Sequence, residues 1–71
     1  MAVQILLFKT DIHVTSAAIH YLLNSNDHVL HWSVDTEDTD CVLKIVASEL
    51  IESRYFEEQL LDLGYHCELL N

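Results

Sequence analysis

One short segment of the chain carries two side chains that can bind a metal ion. The segment TDIHVT, residues 10–15, contains a carboxylate at Asp11 and an imidazole at His13. These groups are ligands for Zn(II) or Cu(II), and a single pair of them binds weakly. Asp11 and His13 therefore form a candidate metal site. The alternative interpretation is that His13 is an ordinary solvent-exposed residue of a loop.

The two cysteines, Cys41 and Cys67, are interpreted as buried free thiols, since free cysteine is among the most buried residue types. Cys67 follows His66 directly, but adjacent strand residues point to opposite faces, which places the two side chains poorly for sharing an ion. Free thiols are typical of a reducing compartment. The apolar run at residues 1–8 is too short to span a membrane and lacks signal-peptide features, so a cytoplasmic protein is expected.

No set of residues predicts catalysis. Ser16 and His20 have the spacing of helical neighbours, but no third residue orients the imidazole, as an activated nucleophile would require. The acidic segment 35–40 is similar to part of a calcium loop, yet it lacks the glycine and the distal glutamate of an EF-hand. It is interpreted as a solvated hairpin turn, and the protein as non-enzymatic.

Charge and length restrict the function further. The chain has 71 residues, which are taken as one domain spanning residues 1–71. Twelve acidic residues stand against three basic ones, giving a formal charge of −9. Nucleic acids and anionic membranes would be repelled, whereas a basic partner or a cation would not.

Hydrophobic periodicity predicts six elements in the order βαββαβ. Thr15 or Ser16 is a suitable cap for the first helix, Ser53 for the second, and Gly64 is a suitable stop. The predicted strands are Val3–Lys9, His28–Asp35, Cys41–Ala47 and Tyr65–Leu70, and the helices are Ser16–Asn24 and the segment from Ser53 to Gly64. Right-handed crossovers then give an α+β, ferredoxin-like sandwich, in which a four-stranded antiparallel sheet carries both helices on one face.

Alternation along the strands assigns side chains to the two faces of this sheet. Side chains expected to face inward include Leu30, Trp32, Val34, Cys41, Leu43, Ile45 and Cys67, with Phe56, Leu60 and Leu63 forming one apolar stripe on the second helix. A group on the opposite face is predicted to form an interface, namely Ile5, Leu7, Val42, Lys44 and Val46. An exposed apolar patch of this kind favours either a homodimer or a complex with another protein.

Several pieces of the chain together resemble the heavy-metal-associated domain family, the copper-chaperone-like domains. The matching pieces are FKTDI at 8–12, WSVD at 32–35, VL at 42–43, LGY at 63–65 and EL at 68–69. The resemblance implies the ferredoxin-like fold with strand order 4-1-3-2, in which the strands carrying Cys41 and Cys67 are too far apart for a disulfide. It also implies a C-x-x-C metal site in the first loop.

The chain departs from the family at that metal site, because positions 10–17 contain no cysteine. The family's two cysteine positions fall on Val14 and Ala17 in one register, and on Ile12 and Thr15 in another. None of these side chains replaces a thiolate, the soft ligand that holds Cu(I) or Zn(II). The loop is interpreted as two residues shorter than in metal-binding members.

Three hypotheses follow. The first is a heavy-metal-associated-type module that has lost thiolate metal binding and acts through protein–protein interaction, with no cofactor beyond weakly bound zinc or copper. The second is a divergent metal carrier or sensor that uses His13 and Asp11. The third is a regulatory domain that binds a small molecule, as the similarly folded ACT domains do.

Overall fold

The computed structural model describes residues 2–71 and contains four strands and two helices. The strands are β1 (Val3–Thr10), β2 (Val29–Val34), β3 (Leu43–Ser48) and β4 (Cys67–Leu69), and the helices are α1 (Ala17–Asn24) and α2 (Ser53–Asp62). The order along the chain is βαββαβ, as the hydrophobic periodicity predicts.

The strands form one open antiparallel sheet in the order β2-β3-β1-β4. β1 and β3 lie at the centre, where Leu6 pairs with Ile45 and Phe8 with Leu43. These four side chains belong to one buried cluster that also includes residues of both helices. The helices therefore cover one face of the sheet, which confirms the predicted ferredoxin-like arrangement.

The buried cluster forms because one face of each central strand and one side of each helix are apolar. Its members are no more than 6% exposed: Leu6, Phe8, Ile12, Ile19, Leu23, Leu43, Ile45, Ala47, Phe56 and Leu60. Ile12 comes from the first loop rather than from a helix or a strand, so this loop takes part in the core.

The sequence predicts the N-cap of α1 correctly but not the N-cap of α2. Ser16 caps α1, its Oγ accepting a hydrogen bond from the N–H of Ile19 at 3.4 Å. The N-cap of α2 is Glu52, without a side-chain capping bond, and Ser53 is the first helical residue rather than the predicted cap. The apolar stripe of α2 is also shorter than predicted, because Leu63 lies beyond the last helical residue and is 41% exposed.

The last strand begins later than predicted, because the backbone N–H groups shortly before it donate hydrogen bonds to the end of α2. Gly64 has φ +94°, and the N–H groups of Gly64 and Tyr65 donate to the carbonyls of Leu61 and Leu60. These bonds close the C-terminus of α2 and hold Tyr65 to the helix end. β4 therefore has only three residues.

A β-bulge in β2 overturns one predicted side-chain direction. Val29 pairs with Ala47 and His31 with Val46, so that Leu30 is the extra residue. Val29 packs against the core, whereas Leu30 is 55% exposed rather than facing inward. A bulge shifts the alternation by one residue, which a simple period of two does not predict.

Candidate functional site

The first loop is anchored to the segment that precedes β3. Thr10 is buried; its hydroxyl donates to the carbonyl of Cys41 at 2.6 Å and accepts from the N–H of Ile12 at 3.1 Å. The N–H of Thr10 donates to the carbonyl of Asp40 at 2.9 Å. These three bonds fix the conformation of the loop where it leaves the sheet.

At the positions that the family resemblance aligns with the metal motif, this loop carries three apolar residues and one threonine. Ile12 is completely buried in the core, and Val14 is 76% exposed to solvent. Thr15 and Ala17 lie at the start of α1. In either register, the pair of positions thus offers at most one hydroxyl oxygen, which is a poor substitute for two thiolates.

His13 contacts a residue that is distant in the sequence. Its Nδ1 lies 3.4 Å from the sulfur of Cys41, which is 1% exposed. Cys41 has φ +44°, and β3 begins two residues later than predicted because a left-handed residue interrupts the extended backbone. The N–H of Cys41 donates to Asp38 and its carbonyl accepts from Thr10, and these bonds hold the strained conformation.

Asp11 is held on the other side of β1. Its Oδ1 accepts a hydrogen bond from the N–H of His66 at 3.0 Å, just before β4, whereas His13 contacts the segment before β3. Within residues 2–71, no group of three or more histidine, cysteine, aspartate or glutamate side chains is placed to hold a metal ion. Metal binding at His13 and Asp11 stays a prediction.

The sequence predicts that Cys41 lies in the core with Leu43, but it does not predict the contact between Cys41 and His13. Cys41 is indeed buried, but its sulfur lies at the edge of the core beside the loop. The hydrogen bonds of Thr10 bring the two segments together, and no local pattern in the sequence predicts such a long-range contact.

Cys67 is a poor nucleophile and metal ligand at neutral pH. Burial, followed by the negative charges of Asp11 and Glu57, raises the pKa of the Cys67 thiol from its ordinary value of 9.0 to about 11. The thiolate is the reactive and metal-binding form. Cys67 is therefore protonated at neutral pH, but it is only partly buried, whereas the sequence predicts a buried thiol.

The open face of the sheet is the second candidate site. On this face Ile5 pairs with Val46, and Leu7 pairs with Lys44. Ile5 is 51% exposed, while Leu7 and Val46 are half-buried by their neighbours. Six apolar side chains with some exposure lie on or border the face, namely Val3, Ile5, Leu7, Val42, Val46 and Leu70. We call this set, together with Lys44, the open-face patch.

The charge on the sheet differs in sign from the charge of the whole chain. Only one of the twelve acidic residues lies in a strand, Glu68, whereas two of the three basic residues do, Lys9 and Lys44. Lys9 pairs with Glu68 across β1 and β4 and lies 3.7 Å from Asp40. The ion pair between Lys9 and Asp40 is about half exposed and contributes little to stability.

The remaining polar candidates have structural partners. Ser16 caps α1, and the ring of His20 packs edge-on against Trp32 with centroids 5.0 Å apart, so these two residues do not form a nucleophile–base pair. In the acidic turn, Asp35 accepts hydrogen bonds from the N–H groups of Glu37 and Asp38. These bonds shape the turn.

No protein-family model matches the chain, and no curated protein or solved structure matches it significantly. Among residues 2–71, neither helix has the length and apolar character needed to cross a membrane.

Proposed function

We propose that this domain is a non-catalytic protein-interaction module of the heavy-metal-associated type, and that it binds through the open-face patch to a second copy of itself. The observation that carries the proposal is the apolar centre of a sheet face that, within residues 2–71, no helix covers. Ile5 at this centre is 51% exposed, and its cross-strand partner Val46 is also apolar.

The apolar centre is what distinguishes this face from an ordinary solvated sheet. Antiparallel sheets with one free face usually present polar side chains to water. Here the two central strands instead present Leu7 and Ile5 beside Val46. Covering such side chains removes apolar surface from water, which is the main driving force of association.

A second copy is favoured by the distribution of charge. Eleven of the twelve acidic residues lie outside the strands, so two sheets can approach without bringing most of the negative charge together. The face offers Lys9 and Lys44 as well as Glu68, and both signs of charge allow a surface to be complementary to itself across a two-fold axis.

The size of the face predicts a weak dimer. Four strands about 4.8 Å apart, with an average length of roughly 20 Å, give a face of about 400 Å² per protomer. Interfaces that bury less than about 1,200 Å² in total are typical of transient complexes. We therefore expect a dimer whose population depends on concentration in the micromolar range or above.

Sedimentation velocity over a range of protein concentrations tests the proposal. The wild-type protein should show a concentration-dependent dimer, and Ile5→Lys should abolish it by placing a charge at the centre of the patch. Tyr21→Lys is the matched control, since Tyr21 is 77% exposed on α1, on the opposite side of the sheet. A monomer at all concentrations, or equal loss of the dimer in both variants, would contradict the proposal.

A second candidate function is metal binding at the first loop, and the contact between His13 and Cys41 supports it. An imidazole nitrogen 3.4 Å from a sulfur supplies two ligands that suit Zn(II) or copper. If this function holds, His13→Ala abolishes zinc uptake in a titration of the reduced protein. The two possible ligand pairs are His13 with Cys41 and His13 with Asp11. Asp11→Asn distinguishes them, because only a site that contains Asp11 loses affinity for zinc.

We infer a cytoplasmic location for either function. Support comes from Cys41 and Cys67, which are both free thiols. Unpaired cysteines are typical of proteins in reducing compartments.

A further inference from the structure

The two edge strands of the sheet differ in length, and β2 is the longer with six residues. β4 has only three residues, but the side chain of Asn71 continues its pairing along β1: it accepts from the N–H of Leu7 at 3.0 Å and donates to the carbonyl of Ile5 at 2.7 Å. At the other edge, β2 pairs only with β3 among residues 2–71. Its outward N–H and C=O groups have no strand partner and can pair with an added strand.

β2 also lacks the charged residues that usually protect an edge strand. Its sequence, VLHWSV, contains no lysine, arginine, aspartate, glutamate or proline. The bulge at Leu30 is the only irregularity, and it leaves the segment from His31 to Val34 in regular register with β3. This segment is therefore open to pairing with an extended chain.

A groove of about 600 Å³ runs beside this edge, between β2 and α1. Its lining is mixed. Leu23, Leu30, Trp32 and Val34 supply apolar surface, and Thr15, His20, Asn24 and His31 supply polar groups. A strand added to β2 would direct alternate side chains toward this groove. Strand-addition recognition combines backbone pairing with pockets for alternate side chains, and this edge offers both.

The aromatic side chains of the groove are held in place. The indole N–H of Trp32 donates to the side-chain oxygen of Asn24 at 2.8 Å, and the ring of His20 packs against it edge-on. Fixed side chains lose little conformational entropy when a ligand binds. The bulge turns Leu30 outward, where it adds an apolar surface to the same groove.

The charged residues around β2 indicate which kind of partner can bind at this edge. Acidic residues stand at both ends of β2, with Asp27 before it and Asp35, Glu37 and Asp38 after it, and all four are exposed. No lysine or arginine lines the groove. Antiparallel pairing of two copies through β2 would place Asp27 of one copy near Asp35 of the other, so a second copy is repelled at this edge.

We propose that the edge of β2 and its groove bind an extended, basic segment of another protein by strand addition, with apolar side chains in the groove and lysine or arginine beside the flanking acids. This surface is separate from the open-face patch, and the proposal does not depend on dimerisation.

Titration with designed peptides tests this inference on the isotopically labelled protein. The probe is a short peptide with alternating valine and threonine at its centre and lysine at both ends, and amide chemical shifts and hydrogen exchange are the readouts. We expect shifts confined to β2 and α1, slower exchange in the segment His31–Val34, and binding that weakens as salt is raised. A peptide with glutamate in place of lysine, and one with a central proline, should not bind.

Variants of the protein complete the test. Leu30→Lys should lower the affinity for the basic peptide about tenfold or more, and Tyr21→Lys, on α1 outside the groove lining, should leave it unchanged. Ile5→Lys should also leave it unchanged, so that failure of the open-face dimer and failure of this inference are distinguishable. Absence of shifts in β2, shifts that map to the open-face patch, or equal binding of the basic and acidic peptides would overturn the inference.

Discussion

The two faces of the sheet are built from the same strands, but the helices cover one face and leave the other exposed. Along β1, Leu6 and Phe8 point to the helices and are 6% and 0% exposed. Ile5, on the opposite face of the same strand, is 51% exposed. The covered face needs apolar side chains, because their burial drives folding. The open face gains no such burial within the monomer, and its apolar centre is the basis of the proposed interface.

This comparison predicts that substitutions on the covered face change folding, and that substitutions on the open face change association. The same strand, β1, supplies matched positions for both.

Phe8→Ala should cause the largest loss of stability. Phe8 is completely buried at the centre of the core, and truncation of such a side chain costs about 3 to 5 kcal/mol. Urea denaturation monitored by circular dichroism measures the change. A domain of this size is marginally stable, so the variant should be largely unfolded. A loss below about 1 kcal/mol would show that the covered face does not form the core.

Thr10→Val should cost about 2 kcal/mol, because it removes two buried hydrogen bonds without changing the size of the side chain much. The hydroxyl of Thr10 bonds to Cys41 and Ile12, which join the first loop to the segment before β3. Urea denaturation gives the stability, and amide chemical shifts should move at His13. Unchanged shifts there would mean that this hydroxyl does not hold the loop.

Ile5→Ala should change monomer stability by only about 1 kcal/mol or less, since the side chain is half exposed. Association should nevertheless weaken, because the substitution removes apolar surface from the centre of the open-face patch. Denaturation measured at two protein concentrations separates the effects, as dimerisation makes the wild-type midpoint rise with concentration. Loss of stability equal to that of Phe8→Ala would contradict the distinction between the two faces.

The effect that is smallest at neutral pH concerns the thiol of Cys67, because it appears only in alkaline solution. Its pKa is raised in the folded protein, so the stability that it contributes is fully present below about pH 9 and is lost as pH rises from about 9 to about 11. Comparison of wild-type protein with Cys67→Ala across this range isolates the contribution. Parallel curves for the two proteins would show that the thiol is not perturbed.

Local burial patterns, namely alternation in β1 and β3 and the helical stripe of Phe56 and Leu60, were sufficient for the order of elements. The strand order was instead an implication of the family resemblance. The sequence was insufficient for the bulge at Leu30, which depends on how β2 aligns with β3. It also could not predict the contact between His13 and Cys41, which depends on a positive φ and on hydrogen bonds between segments 28 residues apart.

The residues of the candidate sites illustrate the same limit. Ile5 and Val46 were placed together by alternation alone, and their cross-strand pairing agrees with that placement. Asp11 and His13 are two residues apart in the sequence, but their side chains bond to opposite sides of β1. Proximity in a loop sequence predicts contact poorly, since side-chain directions there follow no fixed period.

Native mass spectrometry of the reduced protein, with and without added zinc or copper(I), tests the central claim most directly, because it reports oligomer size and metal stoichiometry together. We predict a dimer that increases with protein concentration, disappears in Ile5→Lys, and retains no tightly bound metal. A monomer at every concentration that retains one metal ion per chain, and that loses it in His13→Ala, would contradict the claim.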